Sequence, residues 1–126
     1  MKVVVLSSGS KGNVTYLETK NKRFLLDAGR NYKYINENLK DIGVDIKSID
    51  YVVITHNHSD HIAGLKTVLD KTGAALIVSE KLFYSIEDVK SYKPLTTSLS
   101  SGQVLHCPYD YKKTKIIVSE MMELLS

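Results

Sequence analysis

The run Thr55-His-Asn-His-Ser-Asp-His61 gathers three of the chain's four histidines and a carboxylate into six consecutive positions. Such a segment cannot be buried as ordinary core, so the fold must carry it at an open edge. Imidazole nitrogens and carboxylate oxygens are the donors a divalent transition metal takes from protein, and no thiolate is required. In an extended segment, positions two apart point the same way, so His56 and His58 can converge on one ion. Asp60 and His61 follow as the chain turns and can face a second ion. The apolar run Tyr51–Ile54 before them reads as a buried strand. Ile62, Leu65, Val68 and Leu69 after them have helical spacing. A ligand cluster between strand and helix sits at the carboxyl end of the strand, where α/β folds place their sites.

Periodicity places further elements around that loop. Val3–Leu6 reads as a short strand and Ser7–Gly12 as a tight polar loop. Val14–Thr19 and Arg23–Asp27 form a hairpin across Lys20-Asn21-Lys22. Asn31–Lys40 is expected to be a helix stopped by Gly43, and Tyr51–Thr55 a strand. His61–Lys71 reads as a helix and Ala75–Ser79 as a strand, with Ser79 capping a helix from Glu80 to Val89. Gln103–Leu105 reads as a short strand. Lys93 to Gly102 reads as a Ser/Thr-rich loop, Lys115–Val118 as a strand and Met121–Leu125 as a short terminal helix. Strands alternating with helices after an initial hairpin predict an α/β layer with helices on one sheet face.

The His-x-His-x-Asp-His run, with Ser7-Ser-Gly-Ser-Lys-Gly-Asn13 and Leu25-Leu-Asp-Ala-Gly29 before it, resembles the metallo-β-lactamase-fold hydrolases. The likeness is to their cytoplasmic bacterial and phage branch. It covers about residues 1–85, and residues 92–126 depart from the family pattern. The resemblance implies an αβ/βα sandwich of two similar halves, of which this chain, as a single domain over 1–126, is expected to be the amino-terminal one. It also implies a divalent metal centre, zinc or else manganese or iron, that activates water against a phosphodiester, ester or lactam bond. Complete members hold their two ions with five histidines and a bridging aspartate, and four histidines cannot supply that set.

The resemblance assigns the metal to His56, His58, Asp60 and His61, and a proton-accepting role to Asp60. His106 is the one remaining imidazole and a candidate third ligand. Asp27, at a strand end before Ala28-Gly29, is expected to hydrogen-bond a metal-ligating histidine from behind. Asn13 and Ser10 lie in a Gly/Ser loop whose backbone N–H groups can approach an anion. Thr55 is expected to set the loop through its hydroxyl without a catalytic part.

Two functional classes follow. The first is a metal-dependent hydrolase of phosphodiesters in nucleic acid or nucleotides. The second is a truncated, inactive metal-binding or interaction fragment of the same family. Self-pairing of two copies, to rebuild the sandwich, is the partner expectation. A net charge of +3 suits a polyanionic substrate, although no basic stripe with interleaved aromatics marks a nucleic-acid face. With 43% hydrophobic and 25% charged residues, the composition is that of an ordinary globular domain. The single Cys107 excludes an intrachain disulfide, and no segment has the ~18 apolar residues of a membrane span. A cytoplasmic location is expected.

Overall fold

The computed structural model describes residues 1–87 and the strand 103–106. Six strands form one mixed sheet in the order of the sequence: β1 (Lys2–Ser7), β2 (Val14–Glu18), β3 (Arg23–Leu26), β4 (Tyr51–Val53), β5 (Ala75–Ser79) and β6 (Gln103–His106). The first three pair antiparallel, β3, β4 and β5 run parallel, and β6 returns antiparallel on β5. Helices α1 (Tyr32–Asp41), α2 (Ser59–Ile62), α3 (Leu65–Thr72) and α4 (Glu80–Ser85) occupy the connections, with a 3₁₀ turn at Ile46–Ser48. Parallel neighbours need such crossovers, because a tight turn only joins antiparallel strands.

Side-chain alternation divides the sheet into two faces. Val4, Tyr16, Leu25, Val52 and Leu76 lie in register on one face. They join Ile35 and Leu39 of α1 and Leu65, Val68 and Leu69 of α3 in the main core. Helix α1 begins where the Asn31 side chain accepts from the Tyr34 N–H at 2.8 Å, a satisfied N-cap. Gly43, at φ +76°, lets the chain leave it. Packing of apolar helix faces on this sheet face is the one-sided layer the alternation predicts.

The opposite face carries Val3, Leu17, Phe24, Tyr51 and Ala75 in one row and Val5, Thr15, Leu26, Val53 and Ile77 in the next. Phe24, Tyr51, Ala75 and Ile77 are buried there, Phe24 and Tyr51 stacking at 5.6 Å between ring centroids. At its β1 edge Val3 and Val5 are exposed.

Three expectations need correction. The helix foreseen over His61–Lys71 is two helices, broken at Ala63-Gly64. A Cβ at Gly64 would stand 2.0 Å from the Arg30 carbonyl oxygen, so the chain must pass Arg30 closely before α3 can start. The strand foreseen over Tyr51–Thr55 ends at Val53, because Ile54 and Thr55 turn into the histidine loop. The helix from Glu80 is short and ends at Ser85. Val89, the 93–102 loop and the elements foreseen at 115–118 and 121–125 lie outside the described residues.

Candidate metal centre

The parallel strands β3 and β4 end side by side, and the Asp27 N–H extends their ladder by donating to the Val53 carbonyl at 2.7 Å. Asp27 then turns with φ +64°, and among the described residues it alone holds a positive φ without being glycine. Asp is one of the few residue types that tolerate this left-handed region. The turn leaves a buried carboxylate at the strand ends, 6% exposed. Its oxygens accept from the Thr55 N–H at 2.9 Å, from the Thr55 hydroxyl at 2.8 and 3.0 Å, and from His61 Nδ1 at 2.9 Å. A buried carboxylate without partners is costly, and this one is saturated by the loop it supports.

His61 donates its Nδ1 proton to that carboxylate, which in a neutral ring leaves the lone pair on Nε2. Nε2 lies 3.8 Å from Asp60 Oδ2, too long for a hydrogen bond. The His61 and His56 rings lie 4.6 Å apart between centroids, and His56 and His58 lie 6.2 Å apart. His56 and His58 are exposed, whereas Asp60 and His61 are half-buried. Asn57, between the first two histidines, donates to Ser85 Oγ at 3.1 Å and ties the loop to the end of α4.

Asn13 grips the loop from the other side. Its carboxamide NH₂ donates to the Asp60 carbonyl at 3.1 Å and lies 3.4 Å from Asp60 Oδ2, while its own Oδ1 accepts from the Gly9 N–H. Its backbone N–H also donates to the Asp60 carbonyl, at 2.7 Å. Gly29 makes this approach possible: a Cβ there would stand 1.8 Å from the Asp60 carbonyl oxygen and 2.5 Å from the Asn13 nitrogen. Ser10 is exposed on the same Ser7–Asn13 loop. Arg30 donates to Ser7 Oγ at 3.2 Å and stacks over the Tyr34 ring at 3.6 Å, bracing the base of that loop.

The donor chemistry suits a divalent ion: imidazoles, one of them oriented from behind by a carboxylate, beside a carboxylate held by an amide. Among the described residues, however, no three His, Cys, Asp or Glu side chains converge as a closed ligand set. His106 ends β6 in register with Leu76 of the core face; its side chain is outside the described residues. The sequence reading gave Thr55 the loop-setting part alone and overlooked its bond to His56 Nδ1 at 2.9 Å. It also missed the Asn57–Ser85 tie. A hydroxyl directly before a histidine was the available signal for the first, and nothing local announced the second.

A cleft of about 460 Å³ lies at the other end of the sheet, lined in part by Glu18, Lys22, Arg23 and Asp50. There Arg23 faces Glu18 at 3.4 Å and donates to Ser48 Oγ at 2.7 Å, stitching the β2–β3 hairpin to the 3₁₀ turn. It sits at the amino ends of β3 and β4, away from the histidines, and has no imidazole.

Known proteins are similar to this chain in sequence and in fold. The profile of the Metallo-beta-lactamase superfamily matches residues 8–111. The exodeoxyribonuclease WalJ of Streptococcus pneumoniae is 42% identical over 89 residues, covering 71% of this chain and 33% of that protein. The exodeoxyribonuclease YycJ of Bacillus anthracis is 36% identical over 83 residues, covering 66% of this chain and 31% of its own length. The chain thus spans about one third of the curated relatives it matches. Among solved structures, a metallo-beta-lactamase of Cronobacter sakazakii superposes with a TM-score of 0.59 at 21% identity, over 66% of this chain and 30% of that one. A subclass B3 enzyme of Bradyrhizobium japonicum superposes with a TM-score of 0.53 at 26% identity, over 57% and 28%. The mixed sheet, the one-sided helices and the histidine loop at its strand ends agree with that match, and the chain belongs to the metallo-beta-lactamase superfamily.

Proposed function

We propose that this chain carries the amino-terminal wall of a metal-dependent phosphodiesterase centre of the nuclease class. His56, His58, Asp60 and His61 hold the ion or ions in this reading, and the set is completed by donors outside the described residues. The observation that carries it is the pairing of His61 Nε2 with Asp60 Oδ2 at 3.8 Å, each group fixed from behind, by Asp27 and by Asn13. Relatives named as exodeoxyribonucleases favour DNA as the substrate class. The net charge of +3 is compatible with a polyanion.

A divalent ion in this loop, zinc or else manganese or iron, supplies Lewis acidity and a nucleophile usable at neutral pH. The chain's own groups do the rest. Asp60 Oδ2 accepts the proton of the attacking water, and the Asn13 amide keeps that carboxylate from rotating away. The Asp27 carboxylate stabilises positive charge drawn onto His61. Exposed His56 and His58 leave the centre open to a long polymer. That openness also leaves water poorly excluded, which weakens electrostatic catalysis by a single wall.

The test combines light scattering with hydrolysis of bis-p-nitrophenyl phosphate and of labelled DNA in zinc or manganese. The proposal expects chelator-sensitive ion binding, with turnover absent from the monomer and gained only in a species that brings further donors. Strong turnover at monomer mass, lost in Asp60→Ala, would show a complete centre in this chain. A second reading, an ion-binding fragment without turnover in any state, is favoured by the absence of a converged ligand triplet among the described residues. It predicts binding with no hydrolysis at any mass.

A further inference from the structure

We infer that Thr55 is a positioning residue that relays the Asp27 carboxylate to His56 and fixes that imidazole as its Nδ1–H tautomer. Thr55 Oγ1 lies 2.8 Å from Asp27 Oδ2, 3.0 Å from Asp27 Oδ1 and 2.9 Å from His56 Nδ1. A hydroxyl has one proton and two lone pairs, and carboxylate oxygens only accept. The Thr55 proton is therefore directed to Asp27. What remains toward His56 is a lone pair, so His56 Nδ1 must be the donor of that bond. Its Nε2 is then the ring's only free electron pair.

The backbone reinforces the assignment. The Thr55 N–H donates to Asp27 Oδ1 at 2.9 Å, so backbone and side chain of this residue are both held to the carboxylate. A hydroxyl bonded to a carboxylate is polarised and becomes a stronger acceptor for the next donor in the chain. His61 receives the same instruction directly, through its 2.9 Å bond to Asp27 Oδ2. One buried carboxylate thus sets the same tautomer in two imidazoles whose rings lie 4.6 Å apart, one by contact and one through a hydroxyl. Both rings are left with Nε2 as the donor atom before any ion arrives, which reduces the ordering that ion binding must impose. This gives Thr55 a part in ligand chemistry that a loop-setting hydrogen bond alone would not require. The value of the relay for metal binding rests on the proposed function; the tautomer itself does not.

The test is nitrogen-15 NMR of the imidazole rings in metal-free protein, at a pH where they are neutral. Wild type should show a protonated Nδ1 and a bare Nε2 for both His56 and His61. In Thr55→Val, which keeps the side chain's shape, His56 should revert to the Nε2–H form favoured by free imidazole, while His61 keeps its pattern. Thr55→Ser should restore His56. An isothermal titration with zinc should give binding about tenfold weaker in Thr55→Val and recovered in Thr55→Ser. An unaltered His61 spectrum certifies that the valine variant is folded. If that variant does not fold, the wild-type His56 signal decides alone. A wild-type His56 protonated at Nε2, or a valine variant whose His56 still carries its proton on Nδ1, would overturn the proposal. A chain that binds no zinc would remove the functional reading above and leave the tautomer result standing.

Discussion

Gly29→Ala is the substitution whose consequence the geometry determines most sharply. The added methyl carbon would stand 1.8 Å from the Asp60 carbonyl oxygen, where ordinary contact needs at least 3.4 Å. The obstacle is backbone on two sides, Asp60 and Asn13, so no flexible side chain can yield. Three segments must separate: the Ser7–Asn13 loop, the turn after β3 and the histidine loop. Separation breaks the Asn13 N–H to Asp60 bond at 2.7 Å and strains the Gly29 N–H to Asn13 bond at 3.0 Å. Loss of two part-buried backbone bonds costs about 1 kcal/mol each, and overpacking adds roughly 1–3 kcal/mol. The expected destabilisation is about 3–5 kcal/mol, a large part of a typical ~5–15 kcal/mol total. Thermal unfolding followed by circular dichroism should show a drop in Tm on the order of 10 °C. Zinc should restore less stability to the variant than to the wild type, because Asp60 is displaced. A variant with wild-type Tm and an unchanged zinc response would refute the close approach of these three segments.

Asp27→Ala removes the acceptor of the Thr55 and His61 bonds and should cost about 2–4 kcal/mol, read by urea unfolding. The same variant should weaken zinc binding at least tenfold, by calorimetry. Burial, and the bond Tyr16 gives to Glu18, hold the Tyr16 hydroxyl well above its ordinary value of 10.0. An unfolded chain therefore loses that proton first, so stability should be full below about pH 10 and fall above it. Tyr16→Phe should flatten this alkaline decline in unfolding measured against pH. His106→Ala should reduce zinc affinity if His106 completes the first site; unaltered affinity would mean that water or another chain completes it.

The strands, the hairpin and the histidine loop were legible because each has a local signature: alternation in Val14–Glu18, turn residues at Lys20-Asn21-Lys22, and donors at fixed spacing from His56 to His61. What the residues could not announce depends on distant segments. The break at Gly64 exists because Arg30 passes within contact distance, and helical periodicity ran straight through it. Asp27 was expected to support a histidine from behind, yet its left-handed backbone and burial arise only once β4 lies alongside β3. The grip of Asn13 on Asp60 spans 47 positions, and the Thr55 bridge becomes visible only when Asp27 is placed beneath it. Thr55 shows how a residue passed over as loop-setting gains a defined part from three distances. The buried centre of the second sheet face was equally out of reach, since alternation gives a face and not its neighbour.

The central claim is that the histidine loop binds a divalent ion, and a calorimetric titration of zinc into metal-free protein tests it most directly. The account predicts saturable binding by the wild-type chain, and none by a variant carrying both His56→Ala and His58→Ala. The variant should also lose the zinc-dependent rise in Tm. Equal binding by wild type and the double variant, or no binding by either, would contradict it.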